Sequence, residues 1–291
     1  MPSHGRLSAR GKAAGAADGL SAPPALLSAK QVAARAQKIT AAQLLELLDH
    51  DERLVHVNDA QNGALPDEST VSRENLSDGL SRTLKKANTE YTLMVATTAG
   101  LSDAEKEETF ALFQANMQSH YEGSAQGWEP AEKRTEIFDH QSRFLILVEG
   151  AQSSITRPAA FAVWRFDTEE CDPSDPAQRR RPGRRREEEI EVAYCYELQV
   201  SLPHRKNGLG RFLMQQLEHI ACKTRMRKVM LTVFSNNLEA KAFYKKTGYW
   251  TDSISPNQWS TESATSLDQK DDNETEYDYD ILSKSVVPST Q

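Results

Sequence analysis

Residues 190–213 read IEVAYCYELQVSLPHRKNGLGRFL and contain the strongest fold signal in the chain. Its first part, Ile190 to Val200, is rich in β-branched and aromatic residues, which predicts a long strand. The motif Arg205-x-x-Gly208-x-Gly210 follows. A helix then begins, because the apolar residues from Leu209 to Ala221 fall on one helical stripe. A strand, a glycine-containing turn and a helix in this order predict an anion site at the helix N-terminus.

The predicted anion site suits a pyrophosphate group. Helix N-termini carry unpaired N–H groups and partial positive charge, and glycines let the backbone approach the phosphate oxygens. Arg205, Lys206 and Arg211 would add compensating charge. The alternative interpretation is that the Gly-x-Gly is only a turn. A nucleotide P-loop and a dinucleotide fold are disfavoured, since the motif contains neither Gly-Lys-Ser/Thr nor a third glycine.

The elements around this motif predict a mixed α/β sheet in the order α-β-β-β-α-β-α-β. The first helix begins at a capping box formed by Ser102 and Glu105 and ends near Tyr121. The strands predicted next, at 144–148 and 159–166, are expected to pair as a hairpin. Two further strands are predicted at 229–234 and 275–282, with the helix Leu238 to Lys246 between them.

Domain organisation is predicted from changes in composition. Residues 1–90 are of low complexity and are expected to be largely disordered, with one or two short helices, at 28–38 and from Thr40 onward, and a loop or linker at 57–90. The folded domain is expected over 91–285, followed by a short tail at 286–291. A charged insert at 168–190 contains six arginines at 179–181 and 184–186. Those arginines are either a solvated loop without a specific role or a nuclear-targeting or nucleic-acid patch.

Composition narrows the function classes. The chain has 291 residues and a formal net charge of −7, which gives no general reason to bind nucleic acid but suits a basic partner. Three widely spaced cysteines fit neither a disulfide framework nor a zinc site, and no metal is expected. No apolar run is long enough to span a membrane. The first 17 residues contain no Asp or Glu, which is typical of a disordered tail or of an organellar transit peptide.

Several motifs resemble known acetyltransferases. Arg205-x-x-Gly208-x-Gly210 is similar to the acetyl-CoA pyrophosphate signature of the GNAT family, and Asn237-x-x-Ala240-x-x-Phe243-Tyr244, with Gly248-Tyr249, is similar to the downstream GNAT segment. A closer resemblance, to the NatD-type N-alpha-acetyltransferases, rests on four blocks covering about residues 90–285. These are Tyr194-Cys-Tyr-Glu-Leu-Gln-Val200, Lys228-Val-Met-Leu-Thr-Val-Phe234, Asn116-Met-Gln with Tyr121-Glu, and Arg165-Phe-Asp167.

The resemblance implies a GNAT fold, a mostly antiparallel mixed sheet flanked by helices. It implies transfer of an acetyl group from acetyl-CoA to the N-terminal Ser of histone H4 and of the core histone that shares its Ser-Gly-Arg-Gly start. The expected partner is therefore that basic tail, and the expected protein is a monomeric enzyme of the nucleus and cytoplasm. One departure concerns the peptide pocket, because Gln126 stands where the family leads us to expect an aromatic side chain.

Glu197 is the candidate general base. An α-amine has a pKa of roughly 7.7–8.0, so a positioned group must remove its proton before acyl transfer. A carboxylate in mid-strand is costly unless it is exposed or functional. The alternative is the polar side of a half-exposed strand. Alternation places Glu197 opposite Tyr194 and Tyr196, the expected walls of the amine site, and a bulge in the strand would bring the three together.

The remaining expected cofactor contacts come from backbone and nearby side chains. The N–H groups of Leu198, Gln199 and Val200 would stabilise the thioester oxygen if the strand splays beside the cofactor. Tyr244 would protonate the departing thiolate, although core packing is the favoured interpretation. Cys195 suggests a rival acyl-cysteine route, but a small buried thiol is the preferred state. The resemblance extends the cofactor set to Asn207, Leu209 and Asn237.

The expected peptide contacts divide into acidic and aromatic groups. Asp167, Thr168 and Glu169 follow a predicted strand, and the two acids would bind the Arg of Ser-Gly-Arg-Gly. The resemblance adds further contacts, each of which has a structural alternative as a core or strand residue: Tyr121, Trp128, Tyr196, Thr232, Ser255 and Tyr279.

Two alternative functions remain open. The first is a GNAT enzyme acting on another amine, such as a lysine side chain, a polyamine or a small molecule. The second is a catalytically silent acetyl-CoA-binding or chromatin-binding module. Loss of Glu197 or of the glycine pair would mark the silent module, and both are present.

Overall fold

The computed structural model describes residues 27–48, 54–55, 80–86, 89–150, 157–170, 189–256 and 277–286. The predictions for the first 17 residues, for the arginine run at 179–186 and for the last five residues lie outside the described residues. Within the described ranges, no helix is long and apolar enough to cross a membrane.

A single sheet of nine strands organises the described part of the chain, in the spatial order β1-β2-β3-β4-β5-β6-β7-β9-β8. All neighbouring strands are antiparallel except β6 and β7, which are parallel. The predicted mixed, mostly antiparallel sheet is therefore confirmed. The strands are β1 Leu54–Val55, β2 Leu80–Lys86, β3 Thr89–Thr97, β4 Arg143–Glu149, β5 Pro158–Glu170, β6 Glu189–Val200, β7 Lys228–Phe234, β8 Trp250–Thr251 and β9 Tyr279–Ser285.

Among the described residues, six α-helices cover the two faces of this sheet. They are α1 Ala29–Ala36, α2 Ala41–Leu47, α3 Asp103–Glu122, α4 Pro130–Ile137, α5 Leu209–Lys223 and α6 Leu238–Lys246. Apolar side chains of α1, α2, α5 and α6 join one core cluster, and those of α3 and α4 join another on the opposite face. The predicted capping box at the start of α3 is present, with the Ser102 hydroxyl accepting from the N–H of Glu105.

The two short N-terminal helices are part of this core. Ser28 and Thr40 cap them with reciprocal capping boxes. Leu44 and Leu48 are buried beside sheet residues such as Leu93. The helices themselves were predicted, but their packing against the sheet was not, because a seven- or eight-residue helix does not specify its docking site.

Two predictions about loops are wrong. The loop or linker predicted for 57–90 is contradicted at its end, because β2 pairs along its length with β3, whereas residues 57–79 lie outside the described residues. The strand LSRTLKK lacks a clear apolar alternation, so its pairing is set by the neighbouring strand. The insert was expected to begin at residue 168, yet β5 runs to Glu170 and pairs with the start of β6 at Glu189. The backbone ladder continues there although the side chains are mainly acidic.

A β-bulge in β6 sets the direction of the site residues. Consecutive residues Val163 and Trp164 of β5 pair with Glu197 and Cys195, so Tyr196 is an extra residue in the ladder. Cys195 and Leu198, on either side of the bulge, both pack toward the core cluster beneath α5. Glu197 therefore shares the opposite face with Tyr194, as the sequence analysis anticipated if a bulge were present.

Strands β6 and β7 separate just beyond this point. Their parallel pairing covers only Val192 to Cys195, whose partners are Lys228 to Leu231. The remainder of β6, as far as Val200, stays paired to β5 on its other side. The sheet consequently opens between the carboxyl ends of β6 and β7, which is where ligands bind in open α/β sheets.

Candidate active site

A cavity of about 900 Å³ lies at the opening between β6 and β7. Helices from both faces of the sheet and strands on either side of the opening contribute side chains to its walls. Its lining residues come from the end of α3 and the following loop (Met117, Tyr121, Gln126, Gly127, Glu129), from α4 (Glu132, Lys133, Glu136), from β5 and β6 (Glu169, Tyr194 to Gln199), from β7 (Leu231 to Phe234), and from α6 and β9 (Asn237, Ala240, Tyr244, Tyr279, Ile281).

Glu197 is the buried carboxylate of this cavity, with 6% of its side chain exposed. The side-chain amide of Gln199 donates to one carboxylate oxygen at 2.9 Å. The ammonium group of Lys133 lies 3.6 Å from the other oxygen. Burial raises the pKa of Glu197 to about 7, against the opposing effects of Lys133 and Gln199. A carboxylate with a pKa near the working pH is suited to accept a proton.

Lys133 is the site residue that the sequence analysis missed. Its ammonium group also lies 2.5 Å from Glu136 and 4.8 Å from the centre of the Tyr121 ring. Burial lowers the pKa of Lys133, but the facing Glu197, Tyr121 and Glu136 outweigh this effect and raise it above its usual value. Lys133 therefore remains a cation beside the carboxylate. Pro130, at the first position of α4, signals the start of this helix in the sequence but not the role of Lys133.

Tyr194 and Tyr196 line the same cavity as Glu197, so the bulge brings together the three predicted catalytic residues. The two rings lie 5.3 Å apart. The Tyr194 hydroxyl is hydrogen-bonded to the Thr232 hydroxyl at 2.6 Å. The Arg165 guanidinium lies 4.1 Å from the centre of the Tyr196 ring. Burial raises the pKa of Tyr194 to about 12, so its hydroxyl is protonated at neutral pH.

Cys195 and Tyr244 lie deep beneath the opening. Burial raises the pKa of the Cys195 thiol far above its ordinary value, and the nearby Glu197 adds to this effect. A thiol held protonated is a poor nucleophile, so the structure favours the predicted small buried thiol over an acyl-cysteine. Tyr244 contacts the rings of Phe243 and Tyr249 and also lines the cavity. Burial keeps its pKa well above 10.

The turn before α5 has the backbone that the anion site requires. Gly208 has a φ of +81° and is the N-cap of α5, a conformation that favours glycine. An added Cβ at this position would meet no atom within 4 Å, so the glycine leaves open space in front of the helix. A Cβ added at Gly210 would lie 3.5 Å from both Val200 and Phe243, which is an ordinary van der Waals contact, so packing of α5 on β6 does not require a glycine there.

The side chains of the turn divide into exposed and engaged groups. Lys206 and Arg211 are exposed, Asn207 is half-buried and Leu209 is buried in the core. Arg205 donates to the carbonyl of Val200 and to the side-chain oxygen of Asn116. Asn237 caps α6 through the N–H of Ala240 and lines the cavity. The backbone of Leu198, Gln199 and Val200 lies beyond the last β6–β7 pair, as the predicted splaying requires.

Four of the predicted peptide contacts besides Tyr196 line the cavity: Tyr121, Glu169, Thr232 and Tyr279. Glu169 lies on β5, and burial together with the neighbouring Asp167 raises its pKa above the ordinary value for a glutamate. Gln126, the departure noted in the sequence, also lines the cavity.

Four other predicted peptide contacts are not among the residues that line the cavity. Trp128 stacks with the Phe110 and Phe113 rings in the core beneath α3. Ser255 is fully buried and its hydroxyl accepts from the N–H of Ile281. Asp167 is exposed and accepts from the N–H of Thr168. Because β5 continues through these positions, Thr168 alternates away from Asp167 and Glu169.

Comparison with known families supports the assignment that this geometry suggests. Residues 109–249 match the family model described as Acetyltransferase (GNAT) family. Residues 109–249 therefore belong to a domain with the GNAT fold. The matched residues include the bulged strand β6, the turn before α5, and the elements α5, β7 and α6. It confirms the predicted GNAT fold.

Several solved structures resemble this GNAT domain at low identity. Arabidopsis thaliana NAA60 in complex with a bisubstrate analogue is 12% identical, with 66% of this chain and 97% of that chain covered and a TM-score of 0.44. The NatC complex bound to Gag peptide and CoA is 14% identical, with coverages of 66% and 98% and a TM-score of 0.38. Tetrahymena GCN5 is 14% identical, with coverages of 67% and 95% and a TM-score of 0.40. Similarities at this level give no information about the substrate.

The residues present fit acetyl-CoA, the acetyl donor of the GNAT fold. The glycine turn would hold the pyrophosphate at the N-terminus of α5, and the thioester would lie in the opening between β6 and β7, which Glu197 lines. Within the described ranges, no three His, Cys, Asp or Glu side chains cluster in a way that would hold a metal ion.

The first prediction concerns the glycine turn. Changing Gly208→Glu should abolish acetyl-CoA binding, because the new carboxylate would occupy the phosphate position and repel the phosphate. Isothermal titration calorimetry measures the loss. Gly248→Glu is a matched control, because Gly248 also has a positive φ, +90°, but follows α6 outside the turn. Unchanged affinity in folded Gly208→Glu would exclude the turn as the phosphate site.

The second prediction concerns Lys133 and the ionisation of Glu197. Changing Lys133→Met removes the cation that lowers the pKa of Glu197, so this pKa should rise above about 7. Lys133→Arg, which keeps the charge, should leave it close to the wild-type value. Side-chain ¹³C NMR of labelled glutamate, assigned by comparison with Glu197→Gln, measures the midpoint. An unchanged or lower midpoint in Lys133→Met would contradict the proposed electrostatic contact.

Proposed function

We propose that this GNAT domain transfers the acetyl group of acetyl-CoA to the α-amine of an N-terminal Ser followed by Gly-Arg-Gly, as in histone H4. The observation that carries the proposal is the position of Glu197. A buried carboxylate with a pKa of about 7 lies in the opening between β6 and β7. The glycine turn that suits acetyl-CoA follows β6, the strand that carries Glu197. An amine entering the cavity would therefore meet the base and the acyl donor together.

The proposed reaction is direct attack by the amine nitrogen on the thioester carbonyl carbon. The amine gives a proton to Glu197, either directly or through one water, and the nitrogen–carbon bond forms. The carbon–sulfur bond then breaks, and the CoA thiolate leaves. Cys195 takes no covalent part, because its thiol stays protonated in its buried position. This route needs only groups that the cavity contains.

Two further groups would assist the transfer. The β6 backbone beyond Cys195 has no β7 partner but stays paired to β5, so only the N–H groups between Leu198 and Val200 that point away from β5 can meet the developing negative charge on the carbonyl oxygen. Tyr244 is protonated and lines the cavity, which suits it to protonate the leaving thiolate. Tyr194 and Tyr196 would hold the amine beside Glu197.

The substrate is proposed from the chemistry of the cavity and from the resemblance to the NatD-type enzymes. Glu129 and Glu132 line the cavity from the α4 side and Glu169 lines it from β5, so its walls attract a basic peptide. Glu169 is the better partner for the peptide Arg than Asp167, because Asp167 is exposed and does not line the cavity. Glu169 and the peptide Arg would form a charge-assisted hydrogen bond.

The third prediction concerns the base. Changing Glu197→Gln should preserve acetyl-CoA affinity and lower turnover by ~10²–10⁴, the usual contribution of acid–base catalysis. Glu46→Gln, at an exposed position of α2, is the control and should have wild-type turnover. Steady-state kinetics and calorimetry give the two quantities. A loss of less than a few-fold would assign the proton to another group or to bulk water.

The fourth prediction concerns the peptide Arg. Losing one charged hydrogen bond costs roughly 1.5–3 kcal/mol, so replacing the Arg of a Ser-Gly-Arg-Gly peptide with Ala should lower kcat/KM by about ten- to a hundredfold. Glu169→Gln should reproduce much of this loss with the normal peptide and have little further effect with the Ala peptide. Asp167→Asn should have the smaller effect of the two.

A matched control is the next residue along β5. Glu170→Gln changes an exposed glutamate that does not line the cavity, so it should behave as wild type with both peptides. Additive losses for Glu169→Gln and the Ala peptide would place the Arg elsewhere. Equal activity toward an N-terminally blocked peptide that contains lysine would favour a side-chain acetyltransferase instead.

A further inference from the structure

A chain of side-chain hydrogen bonds joins the glycine turn to Glu197. The Arg205 guanidinium donates to the side-chain oxygen of Asn116 at 3.1 Å. The Asn116 amide donates to the side-chain oxygen of Gln199 at 3.0 Å. The Gln199 amide donates to Glu197 at 2.9 Å. Three contacts of ordinary length thus connect the proposed phosphate turn to the proposed base.

The direction of this chain is set by its arginine. A guanidinium has only donors, so the Asn116 atom that faces Arg205 must be the oxygen. The Asn116 nitrogen therefore faces Gln199, whose facing atom must be its oxygen. The Gln199 nitrogen is then the atom that faces Glu197. Both amide orientations follow from the fixed donor at one end, and each N–H points toward the carboxylate.

This polarity acts on the ionisation of Glu197. A hydrogen bond donated to a carboxylate favours its charged form and lowers its pKa. Gln199 is 95% buried and Glu197 94% buried, as their exposures of 5% and 6% show, so water competes little for either group. A permanent cation at the far end polarises the amides in the same direction. The Asn116 amide also donates to the carbonyl of Val200, and this second hydrogen bond helps to fix the orientation of the amide against β6.

We propose that Asn116 and Gln199 are positioning residues that transmit the donor polarity of Arg205 to Glu197 and hold the carboxylate ready to accept a proton. The Asn116 side chain is hydrogen-bonded to Arg205, Val200 and Gln199 rather than to Glu197. It acts through the orientation of Gln199. The kinetic consequences of this inference rest on the proposed function, whereas its effect on the ionisation of Glu197 does not.

The test must allow for the other charged and titratable groups that face Glu197. These groups stay unchanged in the variants below. They are Lys133 and Glu136 from α4, Tyr121 from α3, Tyr244 from α6 and Cys195 from the same strand.

The most direct variant is Asn116→Asp. An aspartate accepts from Arg205 but has no N–H for Gln199, so the Gln199 amide should turn and present its oxygen to Glu197. A protonated carboxyl can donate to that oxygen, whereas a carboxylate is repelled by it. The midpoint of Glu197 should rise by about one pH unit or more, a tenfold change in its protonation equilibrium. Side-chain ¹³C NMR measures it with neither a substrate nor an activity assay.

Two further variants separate the relay from a simple charge effect. Gln199→Met removes the donor without adding charge, and it should also raise the midpoint. Ala115→Asp adds the same charge at the exposed neighbouring position of α3, and it should change the midpoint much less. When Gln199→Met is already present, Asn116→Asp should raise the Glu197 midpoint by no more than Ala115→Asp raises it. Thermal unfolding shows which variants are folded.

The outcomes are distinct. An unchanged midpoint in folded Gln199→Met overturns the proposal, as does an equal rise in Asn116→Asp and Ala115→Asp. If the proposal holds, the acidic limb of kcat/KM for the Ser-Gly-Arg-Gly peptide should move with the NMR midpoint in folded Gln199→Met. A midpoint that moves without the kinetic limb would support the relay and remove Glu197 from the role of base.

Discussion

The β-bulge at Tyr196 is the constraint on which the rest of the site depends. Because Tyr196 has no partner in β5, Glu197 moves from the face of Cys195 to the face of Tyr194. On the face of Cys195 it would lie in the apolar core beneath α5, where an unpaired carboxylate costs several kcal/mol. On the cavity face it meets Lys133 and Gln199. One extra residue thus converts a strand of ordinary alternation into a strand with a partnered, titratable acid.

The opening of the sheet begins at the same place as the bulge. Parallel pairing between β6 and β7 ends at Cys195, so the backbone that follows is open toward the cavity. The chain then enters the glycine turn and α5, whose N-terminus therefore lies at the carboxyl end of β6. Base, open backbone and helix N-terminus come from one continuous stretch. This explains why a single segment, 190–213, is so informative about the fold and about the site.

The sequence predicted the parts of the site that lie on this segment and missed those contributed by other elements. The glycine motif, the strand and the candidate Glu197 have local signatures. Lys133 has none, because α4 buries only Ile137 completely and shows no apolar stripe. Asn116 is a polar residue within a predicted helix, and its contact with Arg205 depends on how α3 crosses the sheet. Ser255 was predicted from the family resemblance alone, whereas in the structure it is fully buried and its hydroxyl accepts from the Ile281 N–H.

Substrate identity depends on the cavity walls. Several elements contribute to these walls, so their composition is the part of the site least evident in the sequence.

The most direct measurement of which amine is acetylated is mass spectrometry of a Ser-Gly-Arg-Gly peptide that carries one internal lysine, after incubation with the full chain and acetyl-CoA. Fragmentation locates the acetyl group. The proposed function predicts a single acetyl group on the N-terminal serine amine, and none when that amine is blocked beforehand. Acetylation of the lysine, or no acetylation by folded protein that binds acetyl-CoA, would contradict it.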